Sequence, residues 1–375
     1  MNHRIGTAID DLLDRCARVE AGQKVLIVAA PDGLHGGPNL VDEQTIEWVQ
    51  DGIERRGAHP SVLWIDLESQ PHAWKVPPVV KEALARADLF INHAFDLPFE
   101  ELYELREMLA KNHVPMIRNM ATTTRLLESD WAQTPYELVS EIRFQTASMF
   151  AQDRPWTLSH PNGTELKGRV GAPLAPFTKY NERRSEGLYR PFPEGVFTPI
   201  RPFDTEGILV FDRTLSWWAR FAGVPPRFTE PVRVAIERNR MTRFEGGEEA
   251  RALNRFFAQM AERLGDSVYE IPGFHGGVHP WARVTADQCP AEGYREFIEH
   301  HHSASLHLHL GAAPASADYP YMLHVTAELR GATLRIGDEL VEDRGRLAAL
   351  DHPEVRSLAA RYTDRPGLPS HPRAG

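Results

Sequence analysis

Histidines are unusually dense in one part of this chain. Of the 17 histidines, eight fall between positions 275 and 324, and they are His275, His279, His300, His301, His302, His307, His309 and His324. Imidazole nitrogens bind iron, zinc, copper and nickel, and they also exchange protons near neutral pH. The cluster therefore predicts a metal site without naming the ion.

The segment Leu306–Leu310 alternates leucine with histidine. Successive side chains of a β-strand point to opposite faces, so His307 and His309 share one face while the leucines anchor the other in the core. Two imidazoles at this spacing can approach one metal ion. The alternative is a polar sheet face with hydrogen-bonded histidines. His309 is also a candidate for proton transfer in catalysis.

A glycine-rich segment carries two more of these histidines. Gly276, Gly277 and Pro280 disfavour a helix that would present His275 and His279 together, so we expect a loop. Loops of small residues bring side chains close to a ligand. We predict His275 as a metal ligand and His279 as a substrate contact.

Four consecutive polar residues, Glu299, His300, His301 and His302, precede the alternating strand. Consecutive residues cannot all face one site, so at most one or two of them belong to it. Glu299 and His302 are the candidates, with Glu299 as a catalytic acid or base.

Carboxylates are sparse among the patterned histidines, and the nearest glutamates are Glu270, Glu299 and Glu328. Two-metal hydrolases normally use carboxylates to bridge and neutralise two dications. A site made mostly of neutral histidines is better suited to one ion. Such an ion can bind a chelating substrate and dioxygen, or it can activate water.

The elements that must position these residues change in kind along the chain. Helical and strand patterns alternate up to residue 146, which predicts a Rossmann-like α/β domain with a parallel sheet. Short strands and turns follow, beginning with an Asn162-Gly163 hairpin, and predict a β-rich α+β domain over 147–363. Residues 364–375 show no periodicity and are predicted to form a mobile tail.

Composition excludes several classes of protein. The 375 residues carry a net charge of −10, which does not suit a general nucleic-acid binder. Only Cys16 and Cys289 occur, the N-terminus has no apolar segment of signal-peptide length, and no apolar run is long enough to cross a membrane. We therefore expect a cytoplasmic protein without a membrane or nucleic-acid partner.

Several short segments of the second domain resemble 2,5-dihydroxypyridine 5,6-dioxygenase and the related metal-dependent aminopeptidases of the T and S type. They are Phe197–Pro199, Thr205–Asp212, Val232–Val234, Phe244–Ala250, and His324 followed by Gly331–Leu334. The resemblance runs from about Ala17 to Arg346. It implies an α/β N-terminal domain, a β-rich C-terminal metal domain and a homo-oligomer.

The ligands that the resemblance implies are only partly present. The family's C-terminal His-x-Asp pair corresponds to His324 and Thr326, so the aspartate is replaced, and Thr326 becomes a candidate substrate contact. A ligand histidine of the aminopeptidases corresponds to His307, and the remaining ligand corresponds to Gly273. We therefore hypothesise a replacement site of His275, His307 or His309, and His324.

Three functions follow from these observations. The first is an Fe(II) oxygenase that cleaves or oxidises a hydroxylated aromatic or heteroaromatic substrate. Because the family's carboxylate ligand is missing, the site is more positive, which favours an anionic substrate. The Arg183, Arg184, Tyr189 and Arg190 segment is a candidate to orient that anion. The second is an aminopeptidase or amidohydrolase using Zn, Mn or Co, with Glu299 or Glu270 as the base. The third is a non-catalytic metal-binding descendant.

Overall fold

A computed structural model describes residues 2–30, 41–65, 75–93, 102–173, 189–197, 199–215, 219, 222–313, 323 and 325–369. These residues form a mixed α/β protein with a parallel sheet of five strands and a larger antiparallel sheet of eleven strands. One continuous hydrophobic core includes side chains from both sheets, for example Ile27 and Leu308. Within the described residues, no helix has the length and apolar character needed to cross a bilayer.

The parallel sheet has the strand order β2-β1-β3-β4-β7. Its strands are β1 (Lys24–Ala29), β2 (His59–Trp64), β3 (Leu89–Asn92), β4 (Met116–Asn119) and β7 (Tyr189–Phe192). The sequences of β1 and β3 are short apolar runs. This is expected of strands in a parallel sheet, because helices cover both of its faces. The predicted α/β class is confirmed.

Helices connect these strands. They are α1 (His3–Asp10), α2 (Glu43–Arg55), α3 (Pro78–Leu84), α4 (Tyr103–Asn112), α5 (Thr124–Glu128), α6 (Asp130–Gln133) and α7 (Tyr136–Ser148). The Asn2 side chain caps α1 by accepting a hydrogen bond from the Ile5 amide. The helix continues as a π-helix over Asp11–Ala17 and ends where Arg18 adopts a φ of 56°.

The antiparallel sheet contains the predicted hairpin at Asn162-Gly163, where Gly163 has a φ of +99°. Its strands are β5 (Pro155–His160), β6 (Thr164–Pro173), β8 (Ile200–Arg213), β9 (Arg227–Glu237), β10 (Arg240–Glu245), β11 (Gly273–Gly276), β12 (Ser305–Leu310), β13 (Val325–Arg330), β14 (Thr333–Ile336), β15 (Glu339–Asp343) and β16 (Arg346–Leu347). The helices of this part are α8 (Glu248–Leu264), α9 (Glu292–His300) and α10 (Pro353–Ala359), and short 3-10 turns occur at Asp266–Tyr269 and Ala348–Asp351.

The predicted boundary at 146/147 does not separate the two sheets. Strand β7 lies after it in the chain, yet it pairs in parallel with β4 and completes the N-terminal sheet. Part of the predicted tail also contacts the protein. Arg365 bonds Asp11 at 2.6 Å and the Gln133 carbonyl at 2.9 Å, and the Gly367 carbonyl accepts a 2.6 Å hydrogen bond from the Trp281 indole. Polar contacts, which apolar periodicity does not reveal, hold residues 364–369 in place.

Candidate metal centre

Three antiparallel strands present one polar face. His275 of β11 pairs with His307 of β12, which in turn pairs with Glu328 of β13. His309 pairs with Thr326 in the same register. Directly paired residues lie on the same face, so these five side chains point to one side.

The leucines between them point the other way. Leu306, Leu308 and Leu310 are almost completely buried, as the alternating pattern predicted. This anchoring fixes the strand, and therefore the direction in which His307 and His309 project. The shared face predicted for these two histidines is confirmed by the register of β12.

The loop predicted around His275 is wrong. His275 lies in β11, and the glycines next to it provide close packing rather than a turn. A Cβ on Gly276 would lie 3.0 Å from the Ser305 carbonyl oxygen, and one on Gly277 would lie 2.1 Å from the His302 carbonyl oxygen. Only glycine allows β11 and the chain before β12 to approach this closely.

Helix α9 delivers a further imidazole to the polar face. Its buried residues are Tyr294, Phe297, Ile298 and His300, the last at the C-terminal end. The His300 ring stacks on the His307 ring with 3.3 Å between centroids and an angle of 11°.

His275, His300 and His307 form a group that could hold a metal ion. Each offers one ring nitrogen, and the three nitrogens lie within 4.8 Å of one another. All three side chains are buried, His307 completely. Of the predicted ligands, the structure brings His275 and His307 together, whereas His324 lies outside the described residues.

Backbone carbonyls fix the orientation of two of these rings. The Phe197 carbonyl lies 3.2 Å from Nδ1 of His275, and the His300 carbonyl lies 2.7 Å from Nε2 of His307. A carbonyl oxygen only accepts, so each of these nitrogens carries the proton and the opposite nitrogen presents a lone pair. Metal-binding histidines are typically held in this way.

A carboxylate orients the third ring. Glu328 Oε1 lies 2.6 Å from Nδ1 of His300, and both side chains are buried. Burial raises the pKa of Glu328 to about 7, although Arg330 and Arg213 act in the opposite direction. A nearby cation would favour the ionised form, which accepts the His300 N–H and leaves Nε2 of that ring for a ligand.

His309 lies at the edge of this group. Its Nε2 is 2.9 Å from Nε2 of His275, and the two rings meet at 79°. It is 9% exposed and is the least buried of the four imidazoles. The Thr326 hydroxyl on the neighbouring strand accepts a 3.3 Å hydrogen bond from the Leu215 amide.

Two other predicted site residues lie elsewhere. The Glu299 carboxylate forms an ion pair with Arg330 and accepts a hydrogen bond from its guanidinium. It does not contact the imidazole group through these bonds. His279 is buried, accepts a 3.1 Å hydrogen bond from the Trp281 amide, and has a pKa lowered to about 3, mainly because burial disfavours the charged ring. No contact described for either residue reaches His275, His300 or His307.

The predicted anion-orienting segment is only partly described. Arg183 and Arg184 lie outside the described residues. Arg190 is buried in β7 and donates a 3.0 Å hydrogen bond to the Cys16 carbonyl, so its guanidinium is directed to the N-terminal helical segment. Tyr189 is partly exposed, with the Arg118 guanidinium 4.8 Å from its ring centroid. The structure brings neither residue to the imidazole group.

Sequence reasoning missed His300 as a candidate ligand and Glu328 as its hydrogen-bond partner. His300 follows Phe297 by three residues, which is helical spacing from an aromatic residue on the buried face. Glu328 follows Thr326 by two residues, which places both on the same face of a strand. These two spacings were the available signals.

The chemistry of these residues fits a bound metal ion. The donor set is three neutral imidazoles whose orientations are fixed by other groups, with one carboxylate behind them rather than among them. Across the described part of the chain, this is the one group of three or more potential ligands.

Comparison with known proteins agrees with this architecture. No protein-family model and no curated protein sequence matches the chain. The structure of 2,5-dihydroxypyridine dioxygenase from Pseudomonas putida KT2440 is similar, with a TM-score of 0.66 at 16% identity over 94% of this chain and 98% of that one. AmpT from Thermus thermophilus has a TM-score of 0.53 at 13% identity, over 92% and 99%. At these identities the likeness shows a shared fold.

Proposed function

We propose that this protein is a metal-dependent enzyme whose single divalent ion is bound by His275, His300 and His307. The observation that carries the proposal is the convergence of three buried ring nitrogens within 4.8 Å. The carbonyl contacts of His275 and His307 support it, because they direct the lone pair of each ring away from its backbone partner.

The reaction we favour is oxidation or ring cleavage of a hydroxylated aromatic or heteroaromatic compound, with Fe(II) as the ion. Fe(II) with three protein ligands would supply open positions for substrate and dioxygen. The fold shared with a 2,5-dihydroxypyridine dioxygenase supports this choice. Neutral ligands leave the charge of the cation largely uncompensated, so the substrate we propose is anionic.

The chain's own residues have separate tasks in this scheme. Glu328 holds His300 through its Nδ1–H, and the leucine face of β12 keeps water from the rear of the sheet. His309, the least buried imidazole, is positioned to contact whatever binds beside His275. Proton transfer by His309 stays a prediction.

Metal-dependent hydrolysis is the second candidate. A metal ion with an open position could activate water, which is the nucleophile that hydrolysis needs. The fold likeness to AmpT, an aminopeptidase, also supports it. Zn, Mn or Co would then be the ion. The single three-imidazole group in the described residues favours one metal over two.

Elemental analysis of protein purified anaerobically tests the metal. We expect about one equivalent in the wild type and its loss in His275→Ala, His300→Ala and His307→Ala. The exposed His59 provides the matched control, and His59→Ala should retain the metal. Retention by all three cluster variants would refute the assignment.

Activity assays then separate the two reactions. Oxygen uptake that depends on a carboxylated dihydroxypyridine or dihydroxybenzene, with iron bound, supports the oxygenase. Release of amino acids from peptides with Zn, Mn or Co bound supports the hydrolase. Metal binding with neither activity would indicate a non-catalytic descendant.

A further inference from the structure

We propose that a small cavity between α9 and the ends of β12 and β13 binds a halide ion, with chloride as the natural ligand. The cavity measures about 10 Å³, and its lining residues are Arg283, Glu299, His302, Ala304, Ser305 and Arg330. None of the three proposed metal ligands lines it, so the proposal does not rest on the proposed function.

Two buried polar atoms of the lining point to a ligand. Oγ of Ser305 and Nε of Arg330 are buried, and neither has a hydrogen-bond partner among the described residues. The Ser305 residue as a whole is 1% exposed. Buried polar groups are nearly always paired, because an unpaired one loses its hydration without compensation. One particle bound in the cavity would pair both atoms.

The strand register brings these two groups together. Ser305 on β12 pairs directly with Arg330 on β13, so both side chains project from the same face of the sheet. The next pair along that face is His307 and Glu328. The cavity therefore lies beside the imidazole group, at the end of the same polar face.

The donors and the charge of the lining favour an anion. Nε–H of Arg330 can only donate, and the Ser305 hydroxyl can donate to the same acceptor. The lining carries two guanidinium groups, those of Arg283 and Arg330, and one carboxylate, that of Glu299. This carboxylate is already paired with Arg330. One positive charge is left in excess, and hydrogen bonds to an ionised acceptor are stronger than those to a neutral one.

The volume restricts the anion to a single atom. One water-sized particle needs about 10–15 Å³, so the cavity suits a halide better than a carboxylate, phosphate or sulfate. A water molecule is the competing occupant. It is about the same size but does not compensate the positive charge.

Bromide distinguishes the two occupants, because its anomalous X-ray scattering identifies it in crystals of the wild type grown with sodium bromide. We expect a bromine signal within hydrogen-bond distance of Ser305 Oγ and Arg330 Nε. In solution, chloride should raise the urea midpoint of the wild type in a saturable way, relative to gluconate at equal ionic strength.

Two variants test the contacts. Ser305→Ala removes the hydroxyl, and Arg330→Lys keeps a cation for Glu299 but removes the Nε–H. Each should need at least about tenfold more chloride for the same stabilisation, as expected for a lost hydrogen bond to a charged group. Ser148→Ala is the control, because Ser148 is an exposed serine bonded to the Gln145 carbonyl, and it should respond to chloride like the wild type.

The contrary outcomes are distinct. A water molecule without a bromine signal would overturn the proposal, and so would bromide in the crystal without chloride-specific stabilisation in solution. An unchanged chloride response in both Ser305→Ala and Arg330→Lys would also contradict it. The wild-type measurements do not depend on how a variant folds, and none of these results bears on the metal content of the histidine site.

Discussion

Replacing Glu328 by glutamine should weaken metal binding although Glu328 touches no metal. The carboxylate accepts the Nδ1–H of His300 at 2.6 Å, and both side chains are buried. Glutamine keeps the shape and offers an amide oxygen to the same N–H. The substitution therefore removes the negative charge and preserves the hydrogen bond.

The size of the effect follows from that difference. A hydrogen bond to a charged group contributes about 1.5–3 kcal/mol, and a neutral one contributes about 0.5–1.5 kcal/mol. The midpoints of these ranges differ by about 1.2 kcal/mol, which corresponds to a change in affinity of about eightfold. Glu328→Leu removes the acceptor altogether and should weaken binding by up to about 100-fold, the upper range for partners of metal-binding histidines.

Competition with a fluorescent chelator at pH 8 measures both affinities. This pH lies above the pKa of Glu328, about 7, so the wild-type side chain is mostly ionised. Glu299→Gln is the matched control because Glu299 is likewise a glutamate paired with a basic side chain, but it is only partly buried and contacts Arg330 instead of His300. Wild-type affinity in Glu328→Gln, or an equal loss in Glu299→Gln, would refute the argument that Glu328 acts through His300.

Three further predictions concern buried polar groups outside the imidazole group. Burial alone raises the pKa of Glu342 from 4.5 to about 8, so the wild type should lose stability as pH rises from 4.5 through 8. At about 1.36 kcal/mol per pH unit the loss approaches about 5 kcal/mol by pH 9; urea unfolding should show it in the wild type but not in Glu342→Gln. Arg365→Ala leaves the buried Asp11 carboxylate without its guanidinium and should cost about 3 kcal/mol by the same method, whereas an unchanged midpoint would mean that residues 364–369 add nothing to stability. The Cys289 thiol, whose pKa is raised to about 11 chiefly by burial, and the buried Cys16 thiol should react with a thiol reagent only after denaturation, and rapid labelling of the native protein would contradict their burial.

The strand and helix patterns predicted most of the fold because they depend on local periodicity. The apolar run Lys24–Ala29 forms β1, the alternating segment Leu306–Leu310 lies in β12, and the apolar spacing over Glu248–Leu264 forms α8. The placement of β7 could not be predicted in this way. Its pairing with β4 is a long-range contact between segments about seventy residues apart, and nothing in the four residues themselves specifies it.

The candidate site was predicted in part for the same reason. His307 and His275 follow from strand alternation and from the density of histidines. His300 required the phase of a helix that ends among three consecutive histidines, where a shift of one residue selects a different ring. Gly276 and Gly277 were misinterpreted because glycine serves both turns and close backbone contacts, and only the tertiary structure distinguishes the two.

The position of Glu328 bears on the kind of substrate. A carboxylate bound directly to the ion would occupy a coordination position and neutralise part of its charge. Glu328 instead contacts the far nitrogen of His300, so its charge strengthens that imidazole as a donor while every protein ligand remains neutral. In the proposed site, an ion bound by neutral ligands alone would keep most of its positive charge uncompensated on the side where substrate binds. This arrangement would favour an anionic oxygen, such as a phenolate or a carboxylate, as the substrate's ligand atom. Its negative charge would compensate the charge of the ion, which neutral imidazole ligands do not.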